Sequence, residues 1–207
     1  MADLRTGLQP DRLPGAEAHL NLAHPLRRFD VPAGITPRQA GVLLLLYPTP
    51  EGQVRFPLIQ RTSFNEADRH RGQIGLPGGR LEPDDPSLEH TALREAEEEV
   101  GVRAGEVQVL GRLTTLYIPV SNYLVQPVVG YTTRRPHWQL QESEVERLIE
   151  TPLEQLFAHD AVGYHDVPFG RDLRLRRVPH LRLEGEQVWG ATAMMLSEFR
   201  SVVRPLL

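Results

Sequence analysis

The sequence predicts an α/β protein, and two observations carry that prediction. Apolar runs of strand length recur at 40–47, 54–60, 107–117 and 123–131, bounded by Gly, Pro and Asn turns. Two further segments, 91–100 and 191–203, space their apolar residues for one face of a helix. The 207 residues are 40% apolar and 24% charged, an ordinary globular composition able to bury a substantial core. A net charge of −4, with 27 acidic against 23 basic side chains, provides no general field for nucleic acid. Every basic residue other than His is Arg, which makes planar, bidentate phosphate contacts available. Cysteine is absent, so no disulfide framework, thiol ligand or thiol nucleophile exists, and the chemistry must use oxygen and nitrogen. The N-terminus lacks a basic start followed by an apolar core, and the longest apolar run, Val42 to Tyr47, is too short to span a bilayer. A cytoplasmic protein without a membrane partner is expected.

In chain order, residues 1–35 mix Pro, Gly, Arg and Asp and read as an arm outside the core, with a helix expected over Ala16 to Phe29. His19 and His24 lie there without a ligand partner at helical spacing, and read as surface or packing histidines. Ala40 to Tyr47 is apolar throughout, a strand buried on both faces, and Pro50-Glu51-Gly52 turns it back into Val54 to Gln60. The loop from Arg61 to Arg71, with Arg61, Arg69 and His70, is a solvated connection that leads into a glycine motif and offers phosphate contacts. Strands are expected over 107–117 and 123–131, parted by Pro119-Val120-Ser121-Asn122. Val145, Leu148 and Ile149 then stand at helical spacing, with Ser143 and Glu146 as a capping pair, so Gln141 to Glu150 reads as a helix. From Val162 to Leu183, short apolar pieces alternate with Arg171, Arg174, Arg176 and Arg177, a basic hairpin that is either solvated or open to a phosphate-rich tail. An amphipathic helix, Ala191 to Val203, closes the chain.

The stretch with chemistry in it runs from Gly72 to Val102. Pro77-Gly78-Gly79 is a turn whose backbone can adopt positive φ and approach a ligand closely. Behind it comes a helix that ends at Gly101. At about 100° per residue, Glu95, Glu98 and Glu99 share one arc beside the apolar stripe of Ala92, Leu93, Ala96 and Val100. Like charges at these spacings repel, and they sit near the helix C-terminus, where the macrodipole disfavours anions. Arg94 can pair with Glu98, but one guanidinium does not neutralise three carboxylates. A solvated acidic face would explain a Glu run alone. Set behind a Gly-Gly turn, the cluster instead points to a hard divalent cation, Mg²⁺ or Mn²⁺, held against a pyrophosphate.

Gly79, five residues, Asp85, then Arg94-Glu95-Ala96-x-Glu98-Glu99-x-Gly101-Val102 resembles the signature box of the Nudix hydrolases. Here the first acidic position is Asp85, and eight residues separate it from Arg94 where the box has seven. Arg61 with Gly72-Gln73-x-x-x-Pro77-Gly78-Gly79 resembles the extra motif of the coenzyme A pyrophosphatase branch, with Leu76 where Phe is usual and Asp68 where Arg is expected. Thr91 to Ala96 and Val188 to Ala193 resemble that branch too. The resemblance implies an α/β/α sandwich with a mixed β-sheet between helices, built from residues 36–207 with a C-terminal helical extension. It implies metal-dependent hydrolysis of coenzyme A or a derivative to 3′,5′-ADP and 4′-phosphopantetheine. Glu95, Glu98 and Glu99 would hold Mg²⁺ or Mn²⁺, and Arg61, Arg69, Gly72, Gln73, Gly78 and Gly79 would meet the substrate. A glutamate from the loop after the central sheet often serves such enzymes, so Glu98 or Glu142 is expected to take the proton from water, although entry acids complementing a helix dipole are the simpler explanation of Glu142 and Glu144. Another diphosphate substrate, such as ADP-ribose or a dinucleotide, and a non-catalytic nucleotide-binding module are the alternatives. A homodimer is left open.

Overall fold

The computed structural model describes residues 2–63, 70–169 and 173–206. Arg69, Asp68 and Arg171 therefore lie outside the described residues. The fold is organised on the apolar run, now β1 (Arg38–Pro48), whose partners differ along its length. It runs parallel to β7 (Tyr123–Tyr131), in register from Arg38↔Tyr123 to Leu46↔Tyr131. Its far end pairs antiparallel with β2 (Val54–Arg61) at Tyr47↔Arg55 and Pro48↔Val54, through the turn expected at Pro50-Glu51-Gly52. The short β3 (Ile74–Gly75) pairs antiparallel with the opposite end of β2, on the edge that β1 also uses, while β4 (Gly78–Arg80) joins the near end of β1 at Ala40↔Arg80 to Val42↔Gly78. The result is a mixed sheet, with β5 (Gln108–Arg112) and β6 (Leu116–Ile118) antiparallel to β7.

Alternation along β1 decides which helix lies on which face. Leu43 and Leu45 pack with Ala92, Ala96 and Val100 of α3 (Leu88–Val100). Leu44 and Leu46 point the other way, into a larger cluster with Phe56, Leu58 and, from the last helix, Met194, Met195 and Phe199. With successive side chains on opposite faces, one strand buried on both sides dictates helix, sheet and helix in three layers.

Two sequence expectations are corrected. Residues 141–150 do not form a helix: Val145–Pro152 is β8, antiparallel to β2 from Arg55↔Pro152 to Arg61↔Val145. Leu148 packs on the α3 side and Ile149 on the other, as neighbours in a two-faced strand must, and a register shift at Gln60/Arg61 returns Val145 to the α3 side. That bulge makes a strand imitate the i, i+3, i+4 spacing of a helix. The N-terminal segment also differs. After α1 (Ala2–Gly7), the expected long helix is only α2 (Ala16–Leu20), and Leu20 and Leu26 are exposed. Leu4, Leu8 and Leu22 are instead buried in the larger cluster, so the segment lies on the core rather than outside it.

The C-terminal third forms a second, three-stranded sheet, β9 (Val162–Phe169), β10 (Leu173–Leu183) and β11 (Glu186–Trp189), and ends in α4 (Gly190–Val203). Among the described residues no helix is long and apolar enough to cross a membrane.

At the end of β1 away from β4, Tyr47 donates its hydroxyl to Glu150 at 2.7 Å, and Arg135 forks onto the same carboxylate at 2.8 and 2.6 Å. Burial alone would raise the Glu150 pKa, but these bonds outweigh it and bring it to about 2. A carboxyl whose folded pKa lies below its unfolded one stabilises the fold above the ordinary range, and that contribution fades as pH falls toward 2. Urea midpoints should therefore fall between pH 5 and pH 2.5, and Glu150→Gln should remove part of that slope. Because Arg135 is half exposed, the expected size is about 1 kcal/mol.

Candidate active site

α3 is bounded by local chemistry. Ser87 caps its start, the hydroxyl oxygen accepting the His90 N–H at 3.1 Å, and Gly101, at φ 76°, ends it in the left-handed region that favours glycine. Ala92 and Ala96 are small enough to let the helix settle on β1, which fixes the glutamates along its adjoining edge.

Glu99 is 1% exposed and accepts the Gly78 N–H at 2.8 Å and Arg61 Nη1 at 3.2 Å. Burial pushes its pKa up to about 8; the Gly78 and Arg61 donors oppose the rise, and Glu95 and Glu144 add to it. Glu95 is raised for the same main reason, with Arg94 opposing and Glu98 and Glu144 reinforcing. Both glycines of the turn are required. A Cβ on Gly78, at φ 149°, would lie 2.4 Å from the Gly41 carbonyl oxygen, and one on Gly79 would lie 2.4 Å from the Glu95 carboxyl carbon. Main chain and carboxylates thus meet with no side chain between them.

Glu98 differs: its side chain is 59% exposed and is held by Arg94 Nη1 at 3.2 and 3.3 Å. Arg94 in turn forks onto Asp85, Nε to Oδ1 at 3.0 Å and Nη2 to Oδ2 at 2.9 Å, and donates to the Arg80 carbonyl. Asp85, whose side chain is buried, also accepts from Thr91 Oγ1, His90 Nδ1 and the Glu82 N–H. Chiefly through Arg94, these donors hold its carboxyl well below the usual range. The extra residue between Asp85 and Arg94 is absorbed at the helix start, where Ser87 takes the cap. Asp85 is an anchor for the arginine that positions two glutamates. Asp85→Asn should lower kcat/KM about 10- to 100-fold with the fold retained, the range seen when a partner behind a ligand is lost. Steady-state kinetics with a metal titration would check it.

Arg61 joins two halves of the site. Its main chain pairs with the turn ahead, N–H to the Gln73 carbonyl and carbonyl from the Gly72 N–H, both at 3.0 Å, while its guanidinium reaches Glu99. Gly72 has φ 68°, and Gln73 Oε1 lies 3.0 Å from His70 Nδ1. Beside Arg61, Thr62 donates to the main chain of residues 143 and 144. Its N–H goes to the Glu144 carbonyl at 2.9 Å, and its hydroxyl to the Ser143 carbonyl. The entry of β8 thereby brings Glu144 into electrostatic reach of both Glu95 and Glu99. Glu142 is exposed, with no side-chain partner among the described residues. Reading 141–150 as a helix hid this; a strand there would have set Glu144 next to Arg61.

Among the described residues, no three His, Asp or Glu side chains are gathered as a ready cation site, because Glu98 is turned to Arg94. The donor set nevertheless fits a hard divalent ion. It is all oxygen, and the crowded, under-neutralised pair Glu95 and Glu99 faces a cradle that only glycine leaves open.

A mixed sheet clasped between helices, with the glutamates of one helix braced on a Gly-Gly strand, is the class of protein the Nudix signature describes. The chain belongs to the Nudix family: the NUDIX domain model matches residues 37–172. It is 37% identical over 164 residues to proteins of Yersinia pestis and Yersinia pseudotuberculosis, each described as the uncharacterized Nudix hydrolase NudL, covering 78% of this chain and 77% of theirs. Among solved structures it is similar to a MutT/nudix family protein from Enterococcus faecalis, with a TM-score of 0.56, 18% identity, and coverage of 98% of this chain and 74% of that one. The Nudix hydrolase RenU from M. smegmatis gives a TM-score of 0.54 and 17% identity, over 83% and 88% of the two chains. The chain is thus a Nudix hydrolase, of the kind that acts on nucleoside diphosphate derivatives.

Proposed function

We propose that this enzyme hydrolyses the pyrophosphate bond of coenzyme A or its derivatives, giving 3′,5′-ADP and 4′-phosphopantetheine. The observation that carries the reading is Arg61. One residue holds the Gly72-Gln73 turn through its main chain and Glu99 through its guanidinium, so the motif resembling the coenzyme A branch and the glutamate edge form one unit.

Glu95 and Glu99, joined by Glu98, would hold Mg²⁺ or Mn²⁺. When bound, the ion supplies neutralisation of the pyrophosphate and a more acidic water. Gly78 and Gly79 leave main chain open toward the phosphates, and Arg94, fixed by Asp85, keeps Glu95 and Glu98 in place. Glu144 is the better-placed proton acceptor. Glu98 already accepts two bonds from Arg94, which occupy its oxygens, whereas Glu144 is exposed and lies near the half-buried Glu95 and the buried Glu99. Glu144→Gln should lower kcat about 100-fold, in the range for general bases. Glu142→Gln should stay close to wild type, and the reverse order would return the role to Glu142.

Purified protein with Mg²⁺ or Mn²⁺, given coenzyme A, ADP-ribose and a dinucleotide with products resolved by mass, tests the substrate. Preferential release of 3′,5′-ADP from coenzyme A is the expected result. Turnover of ADP-ribose or the dinucleotide with coenzyme A left intact would overturn it.

A further inference from the structure

A cleft of about 560 Å³ opens where residues 71–74, leading into β3, face the turn between β10 and β11. Gln60, Arg71 and Gln73 line one side, and Glu186, Gln187 and Trp189 the other. The second group lies past residue 172, where the NUDIX match ends, so the cleft is shared between the family domain and the C-terminal sheet.

Its charge is unevenly settled. Glu186 is taken by Arg147, at 2.6 Å, and Arg147 also donates to Gln60 Oε1 at 2.6 Å. Arg71 has no ion-pair or hydrogen-bond partner among the described residues. An exposed guanidinium at the mouth of a polar cleft, whose one acidic liner is already neutralised, leaves one positive charge over. Around it stand the amides of Gln73 and Gln187, and the Trp189 indole, T-shaped to His165 with ring centroids 6.0 Å apart, forms a flat wall. Such a lining suits a phosphate-bearing ring group better than an apolar chain.

The cleft is also near the glutamates. Gly72 and Gln73 are held by the main chain of Arg61, whose side chain touches Glu99. Ile74, another liner, is four residues from Gly78, a span of at most ~14 Å even if fully extended. A phosphate on the ribose 3′-oxygen, about six bonds from the nearer phosphorus of a bound diphosphate, therefore falls within reach of it.

We infer that this cleft is a subsite for a second phosphate on the substrate, remote from the bond that is cut, with Arg71 as its principal contact and Gln187 as a further one. The inference builds on the proposed coenzyme A reading, because that substrate carries a phosphate on its ribose while ADP-ribose carries none beyond the diphosphate. Arg71 would then set specificity between the two.

The test is a binding measurement, independent of turnover. Calorimetry with 3′,5′-ADP and with 5′-AMP, in the presence of Mg²⁺, compares ligands that differ only in the remote phosphate. Wild-type protein should bind 3′,5′-ADP at least about tenfold more tightly, the value of one charge-assisted contact. Arg71→Ala should bring that preference below about threefold, Gln187→Ala should reduce it, and Arg103→Ala, at an exposed arginine paired with Glu106, should leave it intact. No preference in the wild type, or a preference that survives Arg71→Ala, overturns the subsite. If the turnover assay finds coenzyme A untouched, the substrate reading fails by itself, and the calorimetry still decides whether the cleft binds phosphate.

Discussion

Glu99→Gln is expected to lower kcat/KM by roughly 1000-fold, a decade beyond what removal of an outer partner costs, while leaving the protein folded. The two effects have one origin. Glu99 is buried, and burial pushes its pKa up to about 8, so its charge is held at a cost that the Gly78 and Arg61 donors only partly offset. Gln keeps the shape and an oxygen for the Gly78 N–H, but it removes the charge that would face a cation and a pyrophosphate. In chelator the sign is opposite to that for Glu150. A carboxyl raised in the fold costs nothing below its unfolded pKa, and it destabilises progressively as pH rises from the ordinary range to about 8. Wild-type protein in chelator should thus lose stability over that window, and Glu99→Gln should not. Thermal melts from pH 5 to pH 9, with and without Mg²⁺, provide the check: the ion should raise the wild-type midpoint, most at high pH, and leave the variant's unchanged. A Glu99→Gln enzyme with near-normal turnover would remove Glu99 from the machinery.

That glutamate was legible in the sequence because helical periodicity is strong in a thirteen-residue helix closed by Ser87 and Gly101. β1 was equally legible, since a run apolar on every residue is buried on both faces and so requires a layer on each side. What stayed hidden depends on contacts distant in the chain. Nothing local in Val145 to Ile149 announces a register shift against β2, so a bulged strand passed for a helix and Glu144 stood in the wrong place. The role of Asp85 likewise depends on Arg94, His90 and Thr91 converging on it from one turn of α3. Residues 1–35 showed polar composition and scattered leucines, and their partner is the helix at the opposite end of the sequence.

That last pairing gives the largest expected loss of stability. Glu198 of α4 is fully buried, and four donors converge on its carboxylate: the Gly15 N–H at 3.2 Å, His19 Nε2 at 3.0 Å, the Thr114 N–H at 3.0 Å and Thr114 Oγ1 at 2.6 Å. Burial would raise its pKa, but His19 and Thr114 outweigh it and hold the group ionised. Next to it, Ser197 Oγ donates to the Ala18 carbonyl at 2.7 Å. One acidic side chain thereby ties α2 and the link between β5 and β6 at Thr114 to α4. Glu198→Ala would strand all four donors in the interior, and removing one partner of a buried charged network costs about 3–5 kcal/mol. For a chain of this size that corresponds to a fall of roughly 10 °C in Tm. Glu198→Gln keeps the shape and should lose less. Urea denaturation measures the cost, and limited proteolysis should show earlier cleavage in residues 10–25 of the Ala variant. A midpoint within experimental error of wild type would mean that the N-terminal segment is held by Leu4, Leu8 and Leu22 alone. Because α4 packs on the Leu44 and Leu46 face of β1 and the glutamates of α3 on the Leu43 and Leu45 face, the folded fraction should keep its turnover, so that stability and catalysis separate across a single strand.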